Sequence, residues 1–264
     1  MTDRLVRPAR LKKTWLPWTV VLSLFAFLLV WALVSRLGGL PAFILPSPWQ
    51  VALRFHKAVW EGNLLLHTAV TLSEVLLGLL CGTAAAVALG YAIAKSRMFE
   101  RLASPYLVAS QAIPVVAIAP LLVIWFGPGM FSKVLICSLT VFFPVLVNTV
   151  VGVRSVPGSL RDLMLSLRAT RPQILTRLEI PASLPILLGG LRVGATLSVI
   201  GAVVGELVGA DRGLGFLVNS ARGQYDTALV FVAVFTLVLL AMALYGLVAL
   251  LEKKLLVWQE IHGS

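Results

Sequence analysis

The chain has 264 residues, of which 59% are hydrophobic and 12% charged, with a mean hydropathy of +0.97. A soluble domain carries about 25% charged residues to cover its surface, so a soluble globular fold is excluded and one polytopic membrane domain is expected. The formal net charge of +11 is what basic loops on one side of a membrane produce, and it needs no nucleic acid to explain it. The apolar residues come in long runs rather than alternating, which disfavours a β-barrel. Cys81 and Cys137 both lie inside apolar runs, and His56, His67 and His262 are scattered, so neither residue type has metal or redox spacing.

In chain order, residues 1–14 form a basic tail. The run from Trp15 to Val34 is too long for the apolar region of a signal peptide, about 7–15 residues, and no Ala-x-Ala site follows it, so a retained first span is predicted. Residues 15–64 hold that span and an outer segment, with Ser47–His67 predicted as an amphipathic interfacial helix. A core of five further spans is predicted over 65–255, the spans running from about His67 to Ala94, Leu102 to Phe126, Val134 to Val153, Pro185 to Ala210 and Thr227 to Leu251. Gly127–Lys133 is read as a short outer turn and 256–264 as a second tail. The third span contains Pro105, Pro114 and Pro120, and a break is expected where proline removes an N–H and clashes with the preceding turn. Residues 154–180, rich in arginine, are predicted to lie outside the hydrocarbon as two short helices, with Thr170 and Gln173 in a capping box.

Charge sets the expected orientation. Arg4, Arg7, Arg10, Lys12, Lys13, Lys95, Arg97, Arg101, Arg154, Arg161, Arg168, Arg171, Arg177, Lys253 and Lys254 fall on one side, and Arg36, Arg54, Lys57, Lys133, Arg212 and Arg222 on the other. That bias places both termini in the cytoplasm. Arg192 remains inside the fifth span.

Small residues recur at every fourth position in two spans: Gly78, Gly82, Ala86 and Gly90, then Gly190, Gly194, Ser198 and Ala202, with Gly201 and Gly205 alongside. Such stripes let helix backbones approach closely in lipid, so Gly78, Gly82, Gly190, Gly194 and Gly205 are read as packing residues. Glu74 and Glu206 continue the same stripes. An intramembrane carboxylate must face protein or water, which leaves Glu74 open as a functional group or a paired structural one and favours the structural role for Glu206. Ser110, Gln111 and Pro114 at the broken third span, with Asn148 after Pro144, are further candidates for a translocation path, because interrupted helices line cavities at membrane depth. There is no phosphate-binding glycine loop, no paired nucleophile and base, and no metal motif in the chain.

The run from Val153 to Gly194, VRSVPGSLRDLMLSLRATRPQILTRLEIPASLPILLGGLRVG, resembles the signature loop of permease subunits of bacterial ABC importers. TLSEVLLG (71–78), QAIPVVAIAPLLVIWFGPG (111–129), FFPVLVNT (142–149) and GADRGLGFL (209–217) support it, and place the resemblance in the nitrate/sulfonate/taurine branch, with wording similar to riboflavin or thiamine-pyrimidine importers. The resemblance implies an all-α, six-span permease of the type I importer fold. It also implies a homodimer in the bacterial inner membrane, a cytoplasmic ATPase dimer carrying ATP and Mg, and an external substrate-binding protein. No cofactor is implied on this chain. Asp162, Leu163 and Met164 align with the family's Glu-Ala-Ala, and Arg168, before Ala169, with its glycine. The acid is kept, the small residues and glycine are not, which leaves the kink between the two loop helices open. Asp162, Leu163, Met164, Leu167, Arg168 and Ala169 are the residues expected to couple to the ATPase. An ion-driven transporter with Glu74 as proton site and a membrane scaffold are the competing readings.

Overall fold

The computed structural model describes residues 16–256 apart from 40 and 113, and all regular structure among them is helical. The tails predicted at 1–14 and beyond residue 256 lie outside the described residues. The elements are α1 (Leu16–Leu37), α2 (Pro48–Trp60), α3 (Leu64–Lys95), α4 (Arg97–Ala112), α5 (Val115–Phe126), α6 (Met130–Arg154), α7 (Gly158–Ser166), α8 (Arg171–Ile174), α9 (Ile180–Gly209), α10 (Leu214–Gly223) and α11 (Thr227–Leu255). Five stretches are long and apolar enough to cross a membrane: α1, α3, α6, the run Arg171–Gly209 and α11.

The remaining predicted span is divided. The helix breaks between Ala112 and Val115, where Pro114 takes an extended conformation with ψ 116° and stands at the N-cap of α5. The 12 residues of α5 rise about 18 Å, short of the ~30 Å hydrocarbon core. Pro105 and Pro120 end nothing and lie within α4 and α5. Proline's fixed φ is helical and its ring deletes one backbone bond, so only the proline whose own ψ turns extended makes a break. The fifth span also differs from expectation. It does not begin at Pro185 but continues from Arg171 through a π-helical turn, Leu175–Glu179, directly before Pro181. That turn sits where the missing Pro181 N–H interrupts the hydrogen-bond ladder.

α6 is the central helix, with α3 and α9 packed against it. The glycine stripes make this possible. A Cβ at Gly82 would stand 2.6 Å from the carbonyl oxygen of Ser138, and one at Gly190 would stand 2.6 Å from Asn148 Cβ. Gly78 abuts Cys137, and Gly194 and Gly205 meet Val141 and Ile136 at 3.1 and 3.3 Å. Thus α3 and α9 both approach α6 to near backbone contact, and Val141, Val145, Leu146 and Ile136 fill the space between. Gly82→Val is expected to prevent this approach, since the obstacle is backbone, and overpacking costs about 1–3 kcal/mol or more. Size-exclusion chromatography in detergent checks it: loss of the monodisperse peak is expected, against its retention in a Gly189→Ala control where no atom lies within 4 Å.

α11 packs on α9 through Leu240, Leu244 and Val248 against Ala195, Val199 and Ala202. Arg192 bridges the same pair. It ion-pairs with Glu252 and lies over the Tyr245 ring at 5.1 Å, which accounts for a charge inside the fifth span. At one end α2 and α10 cover the start of α11, burying Val51, Ala58, Leu214, Leu217, Ala221, Leu229 and Val232. The predicted interfacial helix is therefore Pro48–Trp60, opened by a capping box of Ser47 and Gln50 and held by the Arg54–Asp226 ion pair at 2.7 Å. α1 touches the bundle through Trp31, which stacks on Phe231 at 5.4 Å and donates from Nε1 to the Pro46 carbonyl at 3.1 Å. Its Val20–Val30 surface is exposed, as a helix facing lipid requires.

Candidate functional site

At the end rich in Lys and Arg, α7 stands outside the apolar bundle and α8 leads from it into the run Arg171–Gly209. α7 stops through two hydrogen bonds: the Ala169 N–H donates to the Met164 carbonyl and the Arg168 N–H to the Leu165 carbonyl, both at 2.9 Å. This is the Schellman arrangement, and it demands a left-handed residue at the position after the cap. Arg168 supplies it with φ +56°. The kink left open by the loss of glycine is present, formed by an arginine in a conformation that costs an L-residue roughly 1–2 kcal/mol. The Thr170 N–H then donates to Gln173 Oε1 at 2.7 Å as α8 begins.

Leu163 and Leu167 are 54% and 71% exposed on the outward side of α7 and Asp162 is exposed beside them, whereas Met164 and Ala169 are half-buried. Of the expected apolar residues Leu163 and Leu167 are exposed and Met164 is half-buried, while Leu160, at 43% exposure, joins the two leucines at i, i+3 and i+7. Neither Asp162 nor Arg168 forms an ion pair among the described residues.

The inner side of this loop is braced by a residue that sequence patterning did not single out. Glu179, in the π-helical turn, is 1% exposed and takes ion pairs from Lys95 at the end of α3 and Arg161 on α7. Tyr91 donates its hydroxyl to Glu179 Oε2 at 3.1 Å. One carboxylate therefore joins α3, α7 and the helix that continues into α9. A second pair, Arg154 with Glu100, ties the end of α6 to α4. The one local hint was an acid standing alone among the arginines that precede Ile180-Pro181.

The other polar cluster is buried at the opposite half of the bundle. Glu74 on α3 pairs with Lys133 on α6 at 3.1 Å, with side-chain exposures of 1% and 5%. Lys133 is therefore not in an outer turn. It lies in the first turn of α6, drawn inward by the carboxylate, because a buried charge is tolerated only beside its counterion. Next to it Glu206 on α9 accepts from Thr71 Oγ1 at 2.6 Å and from the Gly215 N–H. Thr71 Oγ1 accepts from the Leu214 N–H at 2.8 Å, and His67 Nδ1 accepts from the Gly213 N–H at 3.0 Å. Three consecutive orphan donors at the start of α10 are thus satisfied by side chains of α3 and α9. A Cβ on Gly215 would come within 2.9 Å of Glu206 Oε2, and Gly213 has φ +116°, so the glycines of GADRGLGFL let this turn close over the carboxylate.

Among the path candidates, Glu74 faces Lys133 inside the bundle. Pro114 is exposed at the break. Asn148 is half-buried, presses on Gly190 and donates from Nδ2 to the Pro144 carbonyl at 2.8 Å. No hydrogen bond or ion pair joins Glu74, Pro114 and Asn148 among the described residues. The side chains of Ser110 and Gln111 lie outside the described residues.

A bundle of apolar helices interlocked by glycines, with one braced helix outside it, has the architecture of a polytopic membrane protein. The family of binding-protein-dependent transport system inner membrane components matches residues 75–257, and this chain belongs to it. The chain is 47% identical to the riboflavin transport system permease protein RibX of Chloroflexus aurantiacus, over 90% of its own length and 88% of that protein. It is 37% identical to the formylaminopyrimidine transport permease protein ThiX of Halalkalibacterium halodurans, over 88% and 92%, and 32% identical to the taurine transport system permease protein TauC of Escherichia coli, over 97% and 95%. Among solved structures, a chain of the MetNI methionine ABC transporter in an inward-facing conformation superposes with a TM-score of 0.62 at 18% identity, covering 73% of this chain and 95% of that one. The protein is an ABC importer permease, a multi-pass inner-membrane chain.

Arg168→Gly is expected to relieve the left-handed strain and raise stability by about 1 kcal/mol, read as a higher melting temperature in detergent. A lower one would show that the Arg168 side chain holds the kink by some other contact.

Proposed function

We propose that this permease carries a vitamin or vitamin precursor of the riboflavin or aminopyrimidine type into the cytoplasm. In this reading two copies pair in the membrane, an external binding protein delivers the solute, and a separate ATPase dimer binds ATP and Mg beneath them. The observation that carries the ATPase docking is α7, whose outward edge of Leu163 and Leu167 stays exposed among the described residues while Arg161 on its inner side is tied to Glu179. A helix with an exposed apolar edge is built to enter a groove. When the ATPase pair closes, each docked α7 moves with it. The Glu179 ion pairs pass that motion to α3 and α9, which are locked to α6 by the glycine contacts. Rigid-body rocking of the two bundles then changes which side the path opens to, and the coupling runs equally in both directions.

The vitamin reading is supported by the 47% and 37% identities to the riboflavin and formylaminopyrimidine permeases. The taurine and sulfonate alternative is favoured by relatives at 30–32% identity. Proteoliposomes holding the chain with its ATPase and binding protein are expected to take up labelled riboflavin or formylaminopyrimidine in an ATP-dependent manner. Uptake of taurine with neither vitamin compound transported would overturn this choice. The orientation, with both termini and the α7 loop in the cytoplasm, rests on the distribution of Lys and Arg. Reporter fusions after Lys95 and Gly129 should read inside and outside respectively.

A further inference from the structure

At the end rich in Lys and Arg, a cleft of about 540 Å³ opens between the ends of α3 and α6 and the starts of α4 and α7. Its wall carries Lys95, Arg97, Arg101, Arg154 and Arg161, with Glu100 as the acidic residue among them. Lys95 and Arg161 share Glu179, and Arg154 takes Glu100. Arg97 and Arg101 have no ion pair among the described residues. Five cations thus line a concave wall that carries one carboxylate, with the buried Glu179 behind it, which concentrates positive potential.

α4 adds a second observation. Met98, Leu102 and Tyr106, at spacing four, are 73%, 56% and 75% exposed. Arg97 and Arg101 occupy the neighbouring strip of the same helix, and Ala103 packs inward against the core. A helix with an exposed apolar strip beside a basic one, at the end of membrane-spanning helices, has the chemistry of the lipid interface.

We propose that the cleft between α3, α4, α6 and α7 holds the phosphate headgroup of an anionic phospholipid, whose acyl chains run along Met98, Leu102 and Tyr106. Arg97 and Arg101 supply the free charge, and Arg154 and Arg161 close the wall. The inference rests on the membrane-spanning class of the chain and not on its substrate or ATPase. Because Arg161 belongs to α7, the lipid lies behind the helix whose outer edge carries Leu163 and Leu167, so it stiffens that helix from the side away from its partner.

The test uses the full chain in neutral detergent, with phosphatidylglycerol, phosphatidylcholine or inorganic phosphate added, and native mass spectrometry to count retained lipid. Wild type should retain phosphatidylglycerol and not phosphatidylcholine. The double variant Arg97→Gln/Arg101→Gln should bind phosphatidylglycerol about 25-fold more weakly, at about 1 kcal/mol for each basic residue near an anionic surface. Tyr106→Ser should weaken lipid retention and leave unchanged any displacement by phosphate. Equal retention of the two lipids, or full retention by the double variant, would overturn the site. Complete displacement of phosphatidylglycerol by millimolar inorganic phosphate would assign the cleft to a soluble anion and overturn the lipid. If the double variant does not fold, a salt titration of wild type replaces it: phosphatidylglycerol should be lost as the Debye length shortens, and salt-independent retention sinks the proposal.

Discussion

Replacing both Leu163 and Leu167 by aspartate is expected to strip the ATPase from this permease on purification and to abolish transport, while the membrane bundle stays folded. α7 also carries Arg161, Asp162 and Ser166, so it is not a lipid-facing helix, and its two leucines are 54% and 71% exposed. Burying a leucine side chain contributes about 1.5–3 kcal/mol. Two leucines lost from one groove, with a charge left in each place, weaken association by about a thousandfold or more. The fold should be indifferent, because both side chains point away from the bundle and the brace lies on the other side, at Glu179. Met164→Asp is a poorer test, since Met164 is half-buried and its loss mixes docking with folding. Asp162→Arg probes the exposed charge on the adjoining face of α7, about 100° from Leu163. Co-purification of the ATPase, read beside the melting temperature of the solubilised chain, separates the two effects. Wild-type retention of the ATPase by the double aspartate variant would remove α7 as the docking element.

The second large effect is expected at Lys133. Its ammonium lies 3.1 Å from Glu74, and both side chains are almost fully shielded. Removing one partner of a buried pair costs about 3–5 kcal/mol, because the other charge is left without solvent or counterion. Here Glu206 stands in the same cluster, so Lys133→Met leaves two carboxylates where one cation had served. The variant should melt far below wild type or fail to accumulate. The double variant Glu74→Leu/Lys133→Met should recover most of the loss, since well-packed apolar residues replace a buried pair at little cost. Glu206 keeps Thr71 and the Gly215 N–H in that background, so α10 should stay seated. Detergent melting curves of the two variants decide it. A Lys133→Met chain as stable as wild type would mean that the pair contributes nothing to the fold.

These expectations differ in how much of them the chain's own order of residues contains. Hydropathy is a local sum, so the long apolar runs at about 67–94, 134–153 and 227–251 could be read before any contact was known. The small-residue stripes are periodic within one helix, and the helices carrying Gly82 and Gly190 needed close neighbours whatever those neighbours were. The outlying loop announced itself by its arginines, and Thr170 with Gln173 marked the start of α8. Which helix receives the stripes is a different matter. Cys137, Ser138 and Asn148 carry no sign of it, and α6 became central only when α3 and α9 closed on it from two directions.

Pairing of charges is likewise a property of space. Glu74 with Lys133, Glu179 with Lys95 and Arg161, Arg192 with Glu252 and Arg54 with Asp226 join residues up to 172 positions apart. No periodicity links such partners, so Lys133 looked like a loop charge and Glu179 like one acid among many cations. Arg168 shows the same limit at a single residue. Left-handed backbone is unfavourable for arginine when considered alone, and the two bonds that close α7 over it settle the matter only once Met164, Leu165 and Ala169 are in place. Composition and spacing decide which segments enter the membrane, because burial in lipid is paid for residue by residue. The tertiary structure decides which buried charges survive there, because that depends on a partner the local chain does not contain.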